Sequence, residues 1–390
     1  MSKPTHSVVY SQPSCDSVGT TFTALGRDVS HGFRFVKPKD TMRESVMRWL
    51  LLCPLLLLVI GCSQQNQQKA SSTPTTTVVP KGDFVNPVLA TNFPDPRILQ
   101  TGNIYYAYAT NAFGKNVQVA RSSDLVHWNV LPDAMPALPT WANPGGSDVW
   151  AAQAIQIGNK YVMYYTARDQ QSDKQCVGVA TSDKPEGRFK DTSSHALVCQ
   201  VDQGGTIDPR PFNDGKALYL YFKNDGNCCG LSTYLYAQKL TADGLSLTGQ
   251  PTRLAHNDQS WEGNVVEAPQ MFKHNSKYYL FFSANNYAGV NYAVGYATCQ
   301  TVIGPCTDAS NNPILASKVN KQPFVIGPGG QSVVQIGNQT WIFYHSWNVN
   351  PDGSQGDSRY MWLDRINWNN DAPVVQGPTT RPEPMPVTTG

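Results

Sequence analysis

The sequence predicts an all-β fold, a five-bladed β-propeller, from three observations. Aromatic residues make up 11% of the 390 residues and charged residues only 15%. The 31 glycines and 28 prolines complete a composition typical of many short strands joined by turns. Five segments begin with a turn and continue directly into aromatic and β-branched residues, and their starts at 102, 158, 215, 275 and 337 lie 56, 57, 60 and 62 residues apart.

The five repeated segments are GNIYYAYAT, GNKYVMYYT, GKALYLYFK, NSKYYLFFS and GNQTWIFYH. Each is followed by a second strand-like piece, namely NVQVARSSD, CVGVATSDK, STYLYAQKL, NYAVGYATC and RYMWLDRIN. These runs are too short for most helices and rich in Tyr, Val and Phe, so they predict strands buried on both faces. A β-sandwich has a similar strand content but no reason to repeat at a fixed spacing, which favours five small antiparallel sheets in a propeller.

The region before the propeller, which we place at residues 83–390, predicts export. Residues 47–62 combine a basic start, an apolar core too short to span about 30 Å of hydrocarbon, and a final Gly-Cys pair. This pattern predicts a lipoprotein signal peptide with Cys62 as the lipidated residue, and an ordinary secretory signal is the alternative. Residues 1–46 lie upstream of the predicted signal peptide, and we interpret them as the result of a misassigned start or as a disordered segment. The polar residues 63–82 predict a flexible linker.

Charge and cysteine usage agree with a location in the cell envelope. Beyond Cys62 the chain carries 23 basic and 24 acidic residues without a basic run, which argues against nucleic acid as a partner. An even number of cysteines, six, remains in that region, as expected of an exported protein. Cys299 and Cys306 are close enough to close one hairpin loop, Cys176 and Cys199 could join neighbouring strands, and Cys228 and Cys229 are adjacent. Six cysteines allow many other connectivities, and no zinc site is predicted.

Three proline-flanked acidic motifs, NFPDPRI, TIDPRP and VVEAPQ, come before the aromatic segments of repeats one, three and four. Their acids precede the starts of those segments by seven, seven and eight residues: Asp95, Asp208 and Glu267. In a propeller this piece is the innermost strand of a blade, so equivalent positions should converge at the central channel. Repeats two and five carry Trp150 or Ala151 and Gly330 at that place.

Converging carboxylates repel one another, which is a costly arrangement for stability alone and therefore indicates a functional site. Hydrolysis of a glycosidic bond needs a carboxylic acid to protonate the leaving oxygen and a carboxylate to activate water. Inverting enzymes separate the two by about 6.5 to 9.5 Å. A third acid nearby would keep the proton donor's pKa high.

The motifs FPDP, TIDPRP and VEAP, the strand ending SSDLVHW and the C-terminal LDRINW together resemble glycoside hydrolase family 43. The resemblance covers roughly residues 84 to 380. It implies an inverting five-bladed propeller enzyme that acts on α-L-arabinofuranosyl or β-D-xylosyl linkages. By motif, Asp95 would be the general base, Asp208 the acid that modulates pKa and orientation, and Glu267 the general acid.

One motif departs from the family. Arabinanases of this family typically carry a histidine in GPGH at the channel, associated with calcium, whereas this chain reads GPGGQ at residues 327–331. No cofactor is therefore predicted to be required, with a channel calcium as the alternative. Gln331 is predicted instead to line the pocket and hydrogen-bond sugar hydroxyls.

Three further residues are candidate sugar contacts, each with a structural alternative. Trp150 and Phe93 would stack on or wall the sugar, or else belong to the core. Arg359 would pair with a substrate hydroxyl or a carboxylate, or else lie on the surface. Glu262 is interpreted as a structural or rim residue, Asp148 as a loop residue, and His345 as a hydrogen-bonded core residue.

The sequence as a whole predicts a monomeric, lipid-anchored hydrolase whose partner is a carbohydrate. The anchor is predicted to lie in the outer membrane, because Ser63 after Cys62 is not the aspartate that commonly retains lipoproteins at the inner membrane. A carbohydrate-binding propeller that has lost catalysis is the alternative. A propeller for protein contacts alone would leave the three acids unexplained.

Overall fold

The computed structural model describes residues 81–145, 148–320 and 322–388. Within these ranges the chain forms five antiparallel sheets that follow one another along the sequence, which confirms the predicted all-β five-bladed β-propeller. The helices in these ranges are three short 3-10 turns, Val201–Gln203, Gly226–Cys229 and Ser260–Glu262, and none could cross a membrane. The predicted signal peptide with Cys62, the segment upstream of it and residues 63–80 of the linker lie outside the described residues.

Strand β1 (Asp83–Phe84) precedes the blades. Blade 1 contains β2 (Arg97–Thr101), β3 (Ile104–Ala109), β4 (Gln118–Ser122) and β5 (Asn129–Val130). Blade 2 contains β6 (Trp150–Ile157), β7 (Lys160–Arg168) and β8 (Gln175–Ser182). Blade 3 contains β9 (Thr206–Asn213), β10 (Leu218–Asn224), β11 (Tyr234–Leu240) and β12 (Leu247–His256).

Blade 4 contains β13 (Val266–His274), β14 (Lys277–Ala284), β15 (Ala293–Cys299) and β16 (Cys306–Asp308). Blade 5 contains β17 (Ile326–Ile336), β18 (Gln339–Val349), β19 (Gln355–Asn369) and β20 (Ala372–Val375), and β21 (Glu383–Pro384) follows it. The five aromatic segments of the sequence form the second strand of each blade. In β3, residues 105–109 are all buried, as predicted for strands covered on both faces.

The apolar core is divided into five clusters, and each cluster fills the space between two neighbouring blades. Between blades 1 and 2, for example, Tyr108 packs near Met163 and Tyr165, all fully buried. Five interfaces between five blades require a closed ring, because an open row of five sheets would have only four. Each aromatic strand therefore contributes side chains to the interfaces on both of its faces.

The two ends of the described chain close the ring. Strand β1 pairs with β21, with Asp83 opposite Pro384. Asn86 then binds the last blade through two hydrogen bonds, donating from Nδ2 to the carbonyl of Leu363 (2.7 Å) and accepting the Leu363 N–H at Oδ1 (2.8 Å). The amide is buried, so these bonds satisfy a polar side chain that would otherwise destabilise the fold.

All three cysteine pairs suggested by the sequence are bonded. Cys176 of β8 is joined to Cys199, and Cys299 to Cys306 across the β15–β16 connection. The third bond joins the adjacent residues Cys228 and Cys229 in a 3-10 turn of blade 3.

The axial segment of every blade contains one left-handed residue with φ between 47° and 59°, two residues before β2 in blade 1 and inside the innermost strand in blades 2 to 5. These residues are Asp95, Ala151, Asp208, Ala268 and Gly330. In blades 2 to 5 the strand pairing shifts register around this residue, which is the mark of a β-bulge. A bulge turns the following side chains, so this position sets which groups face the channel.

The bulges correct the prediction that Glu267 occupies the same position in its blade as Asp95 and Asp208 do in theirs. In every blade the left-handed residue lies seven residues before the first residue of the repeated aromatic segment. In blade 4 this left-handed residue is Ala268. Glu267 is therefore one position upstream of the place that Asp95 and Asp208 occupy. The spacing of eight residues between Glu267 and Asn275 is therefore a real difference in register. The bulge lets a carboxylate at the preceding position reach the channel as well.

We expect Gly330→Ala to lower the free energy of unfolding by more than a left-handed backbone alone explains. A Cβ at residue 330 would lie 2.6 Å from Oδ1 of Asp95 and 2.7 Å from Nδ1 of His345, so overpacking adds about 1–3 kcal/mol to a backbone cost of about 1–2 kcal/mol. Gly102→Ala is the matched control, because Gly102 has φ +55° and no neighbouring atom within 4 Å of the added Cβ. Equal losses for the two variants in urea unfolding would contradict the crowding at residue 330.

Candidate active site

A cavity of about 280 Å³ lies where the innermost strands converge, and all five blades contribute to its wall. The three acids singled out in the sequence, Asp95, Asp208 and Glu267, all line it. The other wall residues that matter for its chemistry are Trp150, Asp225, Cys228, Tyr287, Tyr292 and Arg359. The fold therefore brings residues more than 170 positions apart in sequence into one small volume.

Asp95 is held by groups that favour its ionised form. Thr110 donates its hydroxyl proton to Oδ2 (2.6 Å), Arg359 lies 3.7 Å from the same oxygen, and Nδ1 of His345 lies 3.3 Å from Oδ1. The Asp95 backbone N–H donates to the same His345 nitrogen (3.1 Å). Burial acts to raise the pKa of Asp95, but Arg359 and His345 outweigh it and hold that pKa well below its usual range.

Asp208 has the opposite electrostatic environment. Its Oδ2 accepts a hydrogen bond from the backbone N–H of Ala268, the left-handed residue of the next blade (2.8 Å). Burial and the neighbouring Glu267 raise the pKa of Asp208 to about 6, against the lowering effect of Lys223 and Arg97. At mildly acidic pH, Asp208 therefore binds a proton that an exposed aspartate would have released.

Both carboxylate oxygens of Glu267 have a donor. The hydroxyl of Tyr292 donates to Oε1 (2.7 Å), and Nζ of Lys223 lies 3.1 Å from Oε2. The Lys223 side chain is fully buried and Tyr292 is 1% exposed, so neither donor can move away into solvent. The Glu267 carboxyl group is therefore held in one orientation, while 14% of its side chain remains exposed in the cavity.

Lys223, Tyr292 and Asp225 were missed by the reasoning from sequence. One signal was available, because Lys223 interrupts the apolar strand LYLYFKN, and a fully buried lysine needs an anionic partner. Asp225 follows two residues later and adds a fourth carboxyl group to the cavity wall. Burial raises the pKa of Asp225 to about 6, with Glu267 contributing.

Two buried arginines lie beside the axial strand of blade 5. Arg97 donates from one guanidinium nitrogen to the Gln331 carbonyl (2.6 Å), and Arg210 donates to Oγ of Ser332 (2.9 Å). Both follow an acid by two residues, as Asp95-Pro-Arg97 and Asp208-Pro-Arg210. The repeated D-P-R motif thus supplies the axis with a cation as well as an anion from each of blades 1 and 3.

An exposed aromatic surface adjoins the cavity at Arg359. The guanidinium carbon of Arg359 lies 5.0 Å from the ring centre of Tyr287 and 5.6 Å from that of Trp347. The two rings are stacked, and the indole N–H of Trp347 donates to the Tyr287 carbonyl (2.9 Å). Tyr287 is 48% exposed, so this surface is open to a ligand that extends from the cavity.

The structure places the four predicted sugar contacts in two groups. Trp150 and Arg359 line the cavity. Phe93 does not, because it is fully buried in the core between blades 5 and 1, with its backbone N–H bound to the Arg359 carbonyl (2.8 Å). Gln331 is also fully buried, and its side chain bridges blades by accepting from Ser283 (2.6 Å) and donating to the carbonyl of Ala268 (2.8 Å).

The remaining interpretations agree with the structure. Asp148 is a loop residue, paired with Nε of Arg168 (3.0 Å). Glu262 is structural, since it is fully buried and caps a 3-10 turn. His345 is a fully buried, hydrogen-bonded residue, and its ring occupies the space beside Gly330 where a side chain from β17 would extend.

We expect Lys223→Met to lower the free energy of unfolding at pH 7 by about 3 kcal/mol, because it leaves buried carboxylates without their cation. The loss should shrink toward pH 5, because Asp208 and Asp225, whose pKa values are raised to about 6 and which Lys223 also stabilises as anions, are protonated there. Lys216→Met, at an exposed lysine of the same blade, is the control and should change stability by less than about 0.5 kcal/mol. Urea unfolding at both pH values measures the difference, and similar losses for both variants would contradict the pairing.

Comparison with known proteins agrees with this architecture. The profile of glycosyl hydrolases family 43 matches residues 84–373. The probable arabinan endo-1,5-α-L-arabinosidase A of Aspergillus flavus is 26% identical over 306 residues, covering 73% of this chain and 91% of that protein. The extracellular endo-α-(1→5)-L-arabinanase 1 of Bacillus subtilis is 26% identical over 298 residues, covering 72% of this chain and 86% of that protein.

Solved structures show the same similarity. A thermostable family-43 glycoside hydrolase superposes with a TM-score of 0.71 at 32% identity, covering 78% of this chain and 100% of that one. An endo-1,4-β-xylanase from Bacteroides thetaiotaomicron shares the fold, with a TM-score of 0.63 at 24% identity over 77% of this chain and 99% of that one. With its profile match over most of the propeller, this chain belongs to glycosyl hydrolases family 43, the family that its motifs resemble.

Proposed function

We propose that this protein is an inverting glycosidase that hydrolyses α-L-arabinofuranosyl or β-D-xylosyl linkages in plant-type polysaccharides or oligosaccharides. The observation that carries the proposal is the meeting of Asp95, Asp208 and Glu267 at one cavity, in two opposite electrostatic environments. Acid and base catalysis of glycoside hydrolysis requires one carboxyl group that holds a proton and one that is ionised. Two carboxyl groups whose surroundings shift their pKa values in opposite directions meet that requirement.

Asp95 is suited to be the general base. Its low pKa keeps it ionised across the working range of pH, and an ionised carboxylate can accept a proton from water. That water would attack the anomeric carbon from the face opposite the leaving group, which inverts its configuration. Arg359 would position the Asp95 carboxylate and the substrate together, because it lies 3.7 Å from Oδ2 and also lines the cavity.

Glu267 is the proposed general acid, and Asp208 the group that keeps a proton available to it. Buried carboxyl groups that interact strongly titrate as a unit, so the proton belongs to the pair rather than to one residue. With the pKa of Asp208 raised to about 6, the pair still holds a proton at mildly acidic pH. Tyr292 and Lys223 would aim the Glu267 carboxyl group at the glycosidic oxygen.

The relatives support the substrate class. The Aspergillus flavus relative is named as a probable arabinan endo-1,5-α-L-arabinosidase, and the Bacillus subtilis relative as an endo-α-(1→5)-L-arabinanase. Linear 1,5-α-L-arabinan is therefore the first substrate to test. The exposed ring of Tyr287 and the partly buried ring of Trp347 could stack on sugars that extend beyond the cavity, with Trp150 of blade 2 as a second stacking surface.

We also propose that catalysis needs no calcium in the channel. Where the family's motif has a histidine, this chain has Gly330, and the buried guanidinium groups of Arg97 and Arg210 lie beside the neighbouring Gln331 and Ser332. Two positive charges at the axis oppose the binding of a cation. Turnover at 25 °C after treatment with EDTA should equal that of the untreated enzyme.

The proposed location is the cell envelope, with a lipid anchor at Cys62 and the linker 63–82 carrying the propeller as a monomer. The extracellular arabinanases among the relatives, such as that of Bacillus subtilis, support an exported enzyme. Cys62 lies outside the described residues, so the support for lipidation is the Gly-Cys motif after a short apolar segment. Metabolic labelling with a palmitate analogue, compared with a Cys62→Ser variant, tests this.

We expect Glu267→Gln to lower turnover on linear arabinan by about 10²–10⁴-fold while folding and sugar binding are nearly unchanged, since it removes a proton donor and keeps the shape. The loss should be smaller on a nitrophenyl arabinoside, whose leaving group needs little protonation. Asp202→Asn, at an exposed acid, is the control. Full activity of Glu267→Gln on arabinan would contradict its role, and NMR showing a product of retained configuration would contradict inversion.

If the protein were a carbohydrate-binding propeller without catalysis, the wild type would bind arabinan or xylan and release no reducing ends. That outcome would refute the enzyme and leave the fold unaffected.

We expect Asp208→Asn to raise stability while abolishing activity. A native pKa of about 6, above the unfolded value of 3.8, means that ionised Asp208 destabilises the fold at higher pH, by about 3 kcal/mol above pH 6. The gain in the variant should therefore grow between pH 4 and pH 6 and then stay constant. A variant that is more stable and still fully active would contradict the modulating role of Asp208.

A further inference from the structure

A second group of carboxylates lies away from the cavity, at the entrance to blade 4. Asp258 and Glu262 belong to the connection between β12 and β13, and Asp308 ends the outermost strand β16. One oxygen from each of the three carboxylates lies within 4.8 Å of the others. Proximity of acids alone does not make a binding site. The hydrogen-bond partners of these oxygens show whether the group can bind a ligand.

Glu262 is fully buried, and only one of its two oxygens is satisfied. Its Oε2 accepts hydrogen bonds from the backbone N–H groups of Asp258 and Gln259, both at 2.8 Å. Its Oε1 has no solvent contact and no hydrogen-bond partner. The same is true of Oδ1 of Asp308, so two members of the group carry a buried, unpartnered oxygen. Native proteins rarely leave such atoms without a partner, so these two oxygens are suited to bind a ligand.

A cation is the ligand that suits these oxygens. Within the described ranges, no lysine or arginine forms an ion pair with any of the three carboxylates. The nearest basic group is the half-exposed His256, whose Nε2 lies 3.9 Å from an oxygen of Asp258. Three carboxylates so close together repel one another unless a positive charge lies between them.

We propose that Asp258, Glu262 and Asp308 bind a calcium ion. Calcium takes oxygen ligands at about 2.3–2.6 Å, so its ligands lie at most about 5 Å apart, in agreement with the spacing of this group. Magnesium requires about 2.0–2.1 Å and a strict octahedron, and zinc prefers nitrogen and sulfur ligands, so an all-carboxylate group of this size favours calcium. Water would complete the coordination on the side of Asp258, which is 46% exposed.

The ion would join two parts of blade 4 that are distant in sequence. Glu262 lies five residues before Glu267, in the segment that leads into β13, whereas Asp308 lies two residues after Cys306 of the Cys299–Cys306 disulfide. Calcium would therefore fix the entrance of the innermost strand to the outer edge of the same blade. Its role is stability, and it does not depend on the proposed reaction at the cavity.

Metal-free protein, prepared with EDTA and then dialysed, tests the site by calorimetry and terbium luminescence. We expect calcium at 1 mM to raise Tm by several degrees, and magnesium at the same concentration to raise it by much less. Terbium should bind at the same site and be sensitised through Trp261, which lies next to Glu262, with calcium displacing it.

Variants locate the ion. Asp308→Asn and Asp258→Asn should each remove the calcium-dependent rise in Tm and the terbium signal. Neither variant changes Glu262, whose hydrogen bonds cap the 3-10 turn. Asp352→Asn, in an exposed loop, should keep both responses, and so should Glu267→Gln, which separates this site from the cavity. The proposal is overturned if the wild type shows no calcium-dependent shift, or if Asp308→Asn and Asp258→Asn respond as the wild type does.

Discussion

One left-handed residue in the axial segment of each blade, at a bulge in blades 2 to 5, is the constraint on which the site depends. An extended strand alternates its side chains between two faces, and both faces of these strands are committed to packing against neighbouring blades. The bulge breaks that alternation at one position and directs polar groups toward the axis. A left-handed conformation costs about 1–3 kcal/mol when the residue is not glycine, and four of the five blades accept that cost. The fold thus accepts backbone strain where the carboxylates meet.

Charge balance at the axis follows from the same geometry. The bulges bring several acids into a volume with little solvent, and buried acids are tolerated only with cations beside them. The D-P-R motifs supply Arg97 and Arg210, β10 supplies Lys223, and β19 supplies Arg359. The cations are not distributed evenly. Arg359 and His345 outweigh burial and lower the pKa of Asp95, whereas burial and the repulsion of Glu267 raise the pKa of Asp208, so neighbouring carboxyl groups differ in protonation.

The ring itself is what makes this arrangement rigid. Five apolar clusters, one between each pair of neighbouring blades, fix the angle between blades, and the β1–β21 pairing keeps the first and last blades together. Buried amides such as Gln331 then connect axial strands of different blades. A side chain at the axis therefore depends for its position on contacts from at least two blades, and the cavity cannot be assembled from any one repeat.

The sequence by itself determined the repeat, the strand content and the three acids, because turns, aromatic runs and D-P motifs are local signals. It also suggested the three cysteine pairs, since each lies close in sequence. Only the tertiary structure decided what surrounds those acids. Phe93 lies two residues before Asp95 and Gln331 directly follows Gly330, but both are buried. Asp225, just after β10, and Tyr292, just before β15, line the cavity, and Lys223 of β10 contacts Glu267. The physical reason is that a bulge changes the register by one residue, and one residue decides whether a strand side chain faces the axis or the core.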